Sequence, residues 1–590
     1  MKKIILIEPK TRKGHVYSTV RMPRLGLPLL GTQLKEAGYD VCIYVAHSNN
    51  LPWPKILEAD LVGISTTSST SREAYRIAGY LRSRNIPVVI GGIHATFLPE
   101  EALQYADYVV RGEADSTFLP LVRSLEEGKA PENIPGISYW DNGKMVHNTS
   151  QDNWVDMEQL PIPDLTLMDH YQQIRAIPVM TSRGCPFNCT FCSVTQMFGR
   201  RYRYRSNESI LQELSLYKGR NIFFCDDNFT ADIRRTKQML QKMLDQKVNL
   251  KGWGAQVRVE AARDEELLEL MRRTGGDIVY IGFESINPLT LESYNKKQSV
   301  EDICECIQKF HEYGFRIHGM FVFGSDEDTV QTIRDTVDFA LKMRIDSIQF
   351  MILTPLPGTP LFNKLEDEGR LLTKDWELYD GHHVVYQPAK MSAGELQKET
   401  IKAYKRFYSM KHIFQNVPLT GWGSALYRGI GWWLVRTFEK QNRWYNIALD
   451  QLQNQSFNTR TVPLFYRRVQ VFKRKKIDEA TAGNLLKIYI SENNGVFYLR
   501  LKGFLNRFTL KELNRTLKNL LPQRCFHLIV NTEGLHLSEK STRNFSLFLE
   551  RLGKRVNRLQ LIYSPKDGRP PLTKKFSFKI PRFELLPNRR

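Results

Sequence analysis

Three cysteines stand close together in the segment Thr181-Ser-Arg-Gly-Cys185-Pro-Phe-Asn-Cys189-Thr-Phe-Cys192. Closely spaced cysteines in a reducing compartment are metal ligands more often than disulfide partners. Three thiolates are one fewer than the usual complement of an iron–sulfur cube, which would leave one iron open to a substrate or cosubstrate. A zinc site is the alternative, although the nearby sequence offers no clear His or Cys as fourth ligand. The spacing therefore predicts a metal centre held by Cys185, Cys189 and Cys192.

The composition of the chain supports a reducing compartment and a folded protein. Its 590 residues are 42% hydrophobic and 25% charged, which excludes extended disorder and a disulfide-rich miniprotein. Eight cysteines are few for this length. The apolar run after Lys3 is too short for a secretory signal and reads as a buried strand, and no apolar stretch reaches the length of a membrane span. We expect a cytoplasmic protein.

Residues 1–130 alternate short apolar strands with helical patterns, which predicts a doubly wound parallel α/β domain. In such a domain, ligands bind at the carboxyl ends of the strands. Gly91 and Gly92 follow the fourth strand, where they either let a ligand approach the backbone or make a tight turn. The strand candidates are residues 3–8, 40–45, 60–66, 87–91 and 108–110.

A second series of strands and helices covers residues 176–385, after a proline-rich linker at residues 131–175 that contains an Asn142-Gly143 turn. Six repeats predict a complete or partial βα barrel with its active site at the C-terminal strand ends. The cysteine segment directly follows the first of these strands, at the place where a barrel carries its working loop. The strand candidates are residues 176–180, 221–225, 251–257, 277–283, 316–323 and 346–353.

The last third of the chain differs from the rest in charge. The whole chain has a net charge of +21, but residues 401–590 alone hold 37 basic and 11 acidic side chains. Residues 386–477 have the pattern of helices rich in aromatic and basic side chains, and residues 478–590 form a small α/β pattern. The near-neutral first 400 residues therefore carry the chemical motifs, and the basic part is an attachment.

The Cys-x-x-x-Cys-x-x-Cys segment resembles the radical S-adenosylmethionine (SAM) superfamily. The resemblance implies that the three cysteines hold a 4Fe–4S cluster whose open iron is chelated by SAM, which is cleaved to a 5′-deoxyadenosyl radical. It also implies SAM contacts for Asp227, Gln256, Arg258 and Glu284, although carboxylates at strand ends are also compatible with structural salt bridges. Further segments stand in the family order: Phe223–Phe229, Ile281–Ser285, Phe321–Gly324, Asp328-Thr329 and Thr354–Pro360.

The N-terminal domain is similar to the cobalamin-binding domain that precedes this barrel in one branch of the superfamily. The resemblance rests on the serine after the third strand and on the segments Val89–Thr96 and Ala106–Glu113. It implies cobalamin contacts for Ser65, Gly91, Gly92 and Glu113. The loop after the first strand lacks the Asp-x-His-x-x-Gly signature of an axial histidine, so we expect His15 and His94 to be loop residues rather than metal ligands. An empty domain is the alternative.

Together the two resemblances imply a class B radical SAM methyltransferase that uses cobalamin to methylate an unactivated carbon. The expected partners are a small-molecule or lipid substrate and an electron donor such as flavodoxin or ferredoxin. One alternative is radical cyclisation or rearrangement without methyl transfer. The other is a membrane- or nucleic-acid-binding protein with a structural cluster.

The basic extension holds two further expectations. Trp and Tyr mixed with Arg in residues 421–476 suit a helix at an anionic membrane surface, on the inner face of the membrane, or a helix that packs its apolar side on the barrel. A nucleic acid partner is not expected, because basic composition alone does not indicate one. Residues 478–590 resemble the small α/β domain of anti-sigma-factor antagonists and sulfate transporters (STAS-like), with Ser538 and Ser541 near its regulatory position.

Overall fold

The computed structural model describes most of the first 449 residues and the strands of the last third. The described ranges are 2–10, 22–45, 51–150, 154–410, 412, 429–442, 445–446 and 449, together with the strands of the last third given below, Phe545 and Leu549. By its internal contacts the chain divides into two units, residues 1–454 and residues 455–590. The first unit holds both strand-and-helix series that the sequence predicts.

Seven strands form the first sheet: β1 (Lys3–Glu8), β2 (Asp40–Val45), β3 (Leu61–Ser65), β4 (Val88–Gly91), β5 (Tyr108–Val110), β6 (Ile137–Asp141) and β7 (Lys144–His147). Their order is β2-β1-β3-β4-β5-β6-β7, and the first five are parallel. The helices between them are α1 (Gly26–Glu36), α2 (Trp53–Ile56), α3 (Ser71–Arg82), α4 (Ile93–Phe97), α5 (Pro99–Leu103) and α6 (Phe118–Glu126).

The first strand shows that both faces of this sheet are covered. Ile4 and Leu6 belong to one apolar cluster, and Ile5 and Ile7 belong to another. Successive side chains of a strand point to opposite faces, so each face packs on its own layer of helices. The doubly wound α/β fold predicted from the sequence is confirmed.

The predicted linker at residues 131–175 is partly wrong, because it contains two strands of the first sheet. β6 pairs antiparallel with β5, and β7 pairs antiparallel with β6 through the turn at Asn142 and Gly143. Both turn residues have positive φ, as a two-residue hairpin turn requires. The prolines on either side made this stretch look like a connector, but its hairpin extends the domain beyond residue 130.

The second sheet follows the predicted strand series closely. Its strands are β8 (Ala176–Val179), β11 (Asn221–Phe224), β12 (Gly252–Val257), β13 (Gly276–Glu284), β14 (Arg316–Phe323) and β15 (Ser347–Ile352), and β9 (Ser182–Arg183) pairs antiparallel with β10 (Arg203–Tyr204). All six strands of the sheet are parallel and keep their chain order, β15-β14-β13-β12-β11-β8. Within the described residues β8 and β15 are its edges, as in a partial βα barrel.

Except for α7, the helices of the second series start at side-chain caps, which explains why the elements begin where they do. Asp264 caps α10, Ser299 caps α12 and Thr329 caps α13, each accepting a bond from a backbone N–H of the first turn. The helices are α7 (Val194–Phe198), α8 (Asn207–Ser215), α9 (Ile233–Asp245), α10 (Glu265–Arg273), α11 (Pro288–Ser293), α12 (Val300–Glu312), α13 (Val330–Lys342), α14 (Pro360–Asp367) and α15 (Ala393–Phe407).

Beyond α15, the described part of the extension is a helix over residues 429–442, here called the extension helix. Val435 and Phe438 are buried on one side of it, while Ile430 and Trp433 are 47% and 57% exposed. At its end Asn442 contacts the buried His383, whose other ring nitrogen lies 2.9 Å from Asp380. The packed-helix alternative therefore describes one face of this segment, and the other face is open to solvent.

The second unit contains a separate sheet. Its strands are β16 (Arg467–Arg468), β17 (Lys487–Asn493), β18 (Val496–Leu505), β19 (Cys525–Asn531), β20 (Leu535–Leu537), β21 (Val556–Tyr563) and β22 (Phe583–Pro587). β18, β19, β21 and β22 are successively parallel, and β17 is antiparallel to β18. The three strands predicted near residues 496–502, 526–531 and 558–563 are present. The likeness to a STAS domain stays a prediction, and Ser538 and Ser541 lie outside the described residues.

Candidate functional site

The three cysteines lie in a loop, residues 184–192, that begins directly after β9. Gly184 has φ +87°, and a Cβ atom there would collide with the carbonyl oxygen of Arg201. On its far side the loop is tied to the end of α11. The backbone N–H of Thr190 donates to the Tyr294 carbonyl at 3.2 Å, and the Asn295 side chain donates to the Asn188 carbonyl at 2.9 Å. The fold therefore anchors the cysteine loop at both ends.

The structure brings the three thiols into mutual electrostatic range. Burial raises the pKa of each thiol, that of Cys192 to about 11, and a thiolate at Cys189 further raises the pKa of Cys185 and Cys192. Without a metal these thiols therefore prefer the protonated form. Iron supplies the positive charge that lets buried thiols bind as thiolates, so this donor set fits an iron–sulfur cluster.

The thiols do not form a site for one isolated ion. Within the described ranges, no three His, Cys, Asp or Glu side chains converge on a single metal ion. A 4Fe–4S cube requires no such convergence, because each of its cysteine ligands binds a different iron.

Asp227 and Gln256, two of the four predicted SAM contacts, lie behind the start of the cysteine loop. The Gly184 N–H donates to the Asp227 carboxylate at 3.1 Å, and the Gln256 amide donates to the Asp227 carbonyl at 3.4 Å. Burial raises the pKa of Asp227 to about 6, against the lowering effect of the Gly184 bond. A partly buried carboxyl with such a pKa is typical of a functional site.

Arg258 and Glu284, the other two predicted SAM contacts, lie beside Cys189. The Arg258 guanidinium stacks 3.7 Å from the centroid of the Phe187 ring. Glu284 has φ +62° at the point where the pairing of β13 with β14 shifts, and it accepts a bond from Lys296 at 2.9 Å. Both cations lower the pKa of Cys189, against the dominant effect of burial. The structure thus brings all four predicted residues to the cysteine loop.

A cavity of about 380 Å³ lies between the carboxyl ends of the first sheet and the start of the second. Ser65, Gly91, Gly92 and Glu113 line its N-terminal side, so all four predicted cobalamin contacts converge on it. Its wall is largely apolar, which suits the broad faces of a macrocycle. Apolar lining residues include Leu6, Leu25, Leu27, Leu30, Val89, Val110, Phe118, Met197 and Phe198. The other side of the cavity is lined by Met180, Ser182, Arg183, Cys225 and Asp227.

The turn after β4 explains the glycines of the cavity. Gly92 has φ +93° and ψ 175°, a conformation that is essentially restricted to glycine. A Cβ atom there would lie 2.5 Å from the carbonyl oxygen and 2.7 Å from the nitrogen of Thr66. The turn therefore holds backbone, rather than side chain, against the cavity, which fits a large cofactor that must approach closely.

Glu113 faces the cavity but is engaged in ion pairs. Arg203 donates to both of its carboxylate oxygens at 2.5 and 2.9 Å, and Arg183 lies 3.1 Å away. Burial alone would raise the pKa of Glu113, but the two arginines outweigh it and the pKa is lowered. Arg183 also donates to Asp115 at 2.8 Å. The carboxylate of Glu113 thus faces two arginines, Arg183 of β9 and Arg203 of β10, and β9 directly precedes the cysteine loop.

Of the two histidines that we expect to be loop residues, only His94 lies within the described residues. His94 is buried in α4 rather than in a loop, with its Nδ1 3.2 Å from the Ser68 hydroxyl, and it does not line the cavity. His15 lies outside the described residues.

Sequence reasoning did not single out Asp115, Arg203 and Lys296 as part of the site. Arg183 stood inside the cysteine segment, and it is buried and paired with carboxylates 68 and 70 residues earlier in the chain. Those partners come from another domain, so no local pattern could have identified them.

Across the described residues, none of the helices combines the length and the apolar character needed to cross a bilayer.

Two family models match the chain. Residues 179–340 match the radical SAM superfamily, and residues 16–122 match a B12 binding domain. The first match includes the cysteine loop and strands β11 to β14, and the second includes strands β2 to β5 and the turn at Gly91 and Gly92, here called the glycine turn. They agree with the two resemblances predicted from the sequence.

Two curated relatives and a solved structure each match at least 70% of this chain. An uncharacterised methyltransferase of Pyrococcus horikoshii is 34% identical over 70% of this chain and 95% of the relative. The bacteriochlorophyllide d C-12(1)-methyltransferase of Chlorobaculum tepidum is 28% identical over 70% and 89% of the two chains. The cobalamin- and [4Fe-4S]-bound structure of the radical SAM methyltransferase TsrM from Kitasatospora setae has the same fold, with TM-score 0.56 and 18% identity over 75% of this chain and 100% of that one.

Proposed function

The chain belongs to the cobalamin-dependent radical SAM methyltransferases, and from that premise we propose that it methylates an unactivated carbon of a small-molecule or lipid substrate. The cofactors of the family are a 4Fe–4S cluster, SAM and cobalamin. When bound, the cluster and SAM supply a 5′-deoxyadenosyl radical, and cobalamin carries the methyl group. We also propose flavodoxin or ferredoxin as the electron donor.

One observation carries this proposal. A single cavity is lined on one side by Gly91 and Gly92 of the first sheet and on the other by Arg183 and Asp227, which flank the cysteine loop. A substrate carbon in such a cavity would be accessible from both cofactor sites at once. The largely apolar wall offers water few hydrogen-bond partners, which suits a reaction through a radical.

The proposal gives each predicted residue a role. Cys185, Cys189 and Cys192 hold the cluster. Asp227 and Gln256, at the start of the cysteine loop, and Arg258 and Glu284, beside Cys189, orient SAM through its polar groups. The backbone of the glycine turn and the Ser65 hydroxyl cradle cobalamin, while Glu113 maintains the cavity wall through its arginine pairs. The residues that would hold these roles are Cys185, Cys189, Cys192, Asp227, Gln256, Arg258, Glu284, Ser65, Gly91, Gly92 and Glu113.

The proposal is tested by anaerobic reconstitution of the purified chain with iron, sulfide, hydroxocobalamin, SAM and a reductant. We expect about four irons per chain, bound cobalamin and release of 5′-deoxyadenosine. Cys189→Ala should lose the cluster and the nucleoside. Cys304→Ala is the matched control, since Cys304 lies in α12 outside the cysteine loop. An intact cluster that yields no 5′-deoxyadenosine would reject the enzyme and favour a structural cluster.

The substrate is identified by comparing extracted metabolites from cells with and without this chain. A methyltransferase predicts a pair of compounds that differ by one methyl group, and deuterated methionine should label that group. Cyclisation or rearrangement predicts a pair without the added methyl. A product without the label would therefore reject methylation and favour cyclisation or rearrangement.

We further propose that the extension helix contacts an anionic membrane. Its outward face carries Ile430 and Trp433 followed by Arg436 and Lys440, all exposed. An apolar end beside basic side chains suits an interfacial helix, with the ring at headgroup depth and the cations near lipid phosphates. The proposal accounts for part of the basic excess in the last third of the chain.

Vesicle flotation tests this second proposal. We expect the chain to float with vesicles containing anionic lipid, and flotation to fall with rising salt and in Trp433→Ser. Trp140→Ser is the control, because Trp140 is 41% exposed on the first sheet and far from the extension helix in sequence. Equal flotation of both variants and of the wild type, at all salt concentrations, would contradict membrane contact through this face.

A further inference from the structure

Four buried charges join the first sheet to the cysteine-loop region, and we call them the junction cluster: Glu113, Asp115, Arg183 and Arg203. Arg203 holds Glu113 by both oxygens, and Arg183 donates to Asp115 at 2.8 and 3.3 Å while lying 3.1 Å from Glu113. Each of the four side chains is at most 14% exposed. Two carboxylates and two guanidiniums make the cluster neutral as a whole.

On the N-terminal side, the cluster is connected to the glycine turn by hydrogen bonds. Glu113 follows Gly112, whose N–H donates to the Thr96 hydroxyl at 3.0 Å. That hydroxyl donates in turn to the carbonyl of Gly92 at 3.0 Å. A displacement of Glu113 would therefore be transmitted to the turn that lines the cavity.

On the other side, the cluster is connected to the cysteine loop by the chain itself. Arg183 of β9 lies opposite Arg203 of β10 in the antiparallel strand pair. In the chain, Arg183 is followed by Gly184 and Cys185. Gly184 donates to Asp227, which also lines the cavity. Hydrogen bonds, ion pairs and peptide bonds thus form an unbroken series from Gly92 to Cys185.

Stability alone does not account for four buried charges at this place. A buried ion pair roughly offsets its own desolvation cost, and apolar replacements of similar size are often as stable. What a bidentate arginine–carboxylate pair does provide is fixed orientation, because the planar fork accepts few geometries. The cluster occurs where the two cofactor sites of the proposed function meet.

We propose that the junction cluster is a positioning device that sets the separation and relative orientation of the cobalamin site and the cysteine loop. This inference rests on the proposed function for its purpose, though not for its mechanics. Glu113 is then a positioning residue rather than a cobalamin ligand. Its loss leaves both sites chemically complete but imprecisely aligned.

The test compares Glu113→Gln with Glu399→Gln. Glu399 is a matched control, a glutamate of α15 that is 9% exposed and pairs with two cations, Arg334 and Lys402. The chain is loaded with cobalamin and cluster and reduced, so that cluster and cob(II)alamin each carry an unpaired electron, and their dipolar coupling is measured. We expect a narrow distance distribution in the wild type and in Glu399→Gln, and a broader, longer one in Glu113→Gln. A wild-type distribution in Glu113→Gln would overturn the inference.

A second measurement separates this inference from the proposed function. In the cofactor-free chain, Glu113→Gln should accelerate amide hydrogen exchange in residues 184–192 and 92–97 together, and Glu399→Gln should not. Unchanged exchange in both segments refutes the junction cluster even if the wild type binds both cofactors. Failure of the wild type to bind cofactors rejects the proposed function, while coupled exchange would still support the mechanical link. If Glu113→Gln does not fold, Arg203→Lys keeps the charge but loses the fork, and should broaden the distribution less.

Discussion

A side chain at Gly92, in the glycine turn after β4, should destabilise the wall of the cavity. In Gly92→Ala, the new methyl group would lie 2.5 Å from the Thr66 carbonyl oxygen and 2.7 Å from its nitrogen. Both atoms belong to the backbone that continues β3, which cannot rotate away as a flexible side chain would. The turn must therefore move, and it moves at the wall of the cavity.

Two costs add up for this substitution. The conformation of Gly92, with φ +93° and ψ 175°, costs a residue with a side chain about 1–3 kcal/mol. Overlap in a packed region costs about 1–3 kcal/mol more. We expect a loss of about 2–6 kcal/mol in the free energy of unfolding. Each 1.4 kcal/mol needed to restore the turn on binding lowers the affinity for cobalamin about tenfold.

Gly143→Ala is the matched control. Gly143 has φ +78° in the β6–β7 turn, and nothing lies within 4 Å of a Cβ atom there. That variant keeps the strain of positive φ, about 1–2 kcal/mol, without the collision. Urea unfolding gives stability, and absorbance titration with hydroxocobalamin gives affinity. The reasoning fails if Gly92→Ala binds cobalamin as tightly as Gly143→Ala does.

Three further predictions concern charged and polar side chains inside the first unit. The pKa of Asp227 in the folded chain is about 6, which is above its unfolded value, so its ionisation opposes folding as pH rises. We therefore expect Asp227→Asn to stabilise the cofactor-free chain by up to about 3 kcal/mol at pH 7.5, measured by urea unfolding. This gain should vanish near pH 4, where the carboxyl is protonated in the folded chain. Lys296→Met removes a cation beside Cys189, so the midpoint of cluster reduction, followed by electron paramagnetic resonance, should become more negative, and Glu284→Gln should shift it the other way; equal midpoints would contradict this. Asn442→Ala leaves Nε2 of the buried His383 ring without its partner, at a cost of about 1–3 kcal/mol, so amide exchange should rise in residues 429–442 but not in the first sheet.

The strands of the first unit could be predicted because their residues are apolar in short runs. Residues 3–8, 40–45 and 316–323 were predicted with the bounds that the structure shows. The β6–β7 hairpin was missed although its Asn142-Gly143 turn was recognised. Its strands are short and carry exposed side chains such as Trp140, so they lack the apolar pattern that identified the others.

The site was predictable as far as strand ends determine it. Gly92 and Asp227 each follow a parallel strand, and residues at such ends collect at one edge of a sheet. The ion pairs were not predictable, because Glu113 and its partner Arg203 are separated by 90 residues. A sequence shows that a carboxylate is present, but the fold decides whether it meets a cofactor or an arginine.

The charged side chains at the candidate site and the basic excess of residues 401–590 serve different purposes. Within the first unit three of the four carboxylates named at the site have cationic partners: Glu113 and Asp115 face Arg183 and Arg203, and Glu284 faces Lys296. The fourth, Asp227, accepts the backbone N–H of Gly184. The basic excess of residues 401–590 is therefore not needed to neutralise the cavity. A surplus of that size lowers its energy by meeting an external polyanion, and the attraction weakens as salt screens it. Salt-sensitive flotation that leaves cobalamin affinity unchanged would show that the two parts of the chain act independently.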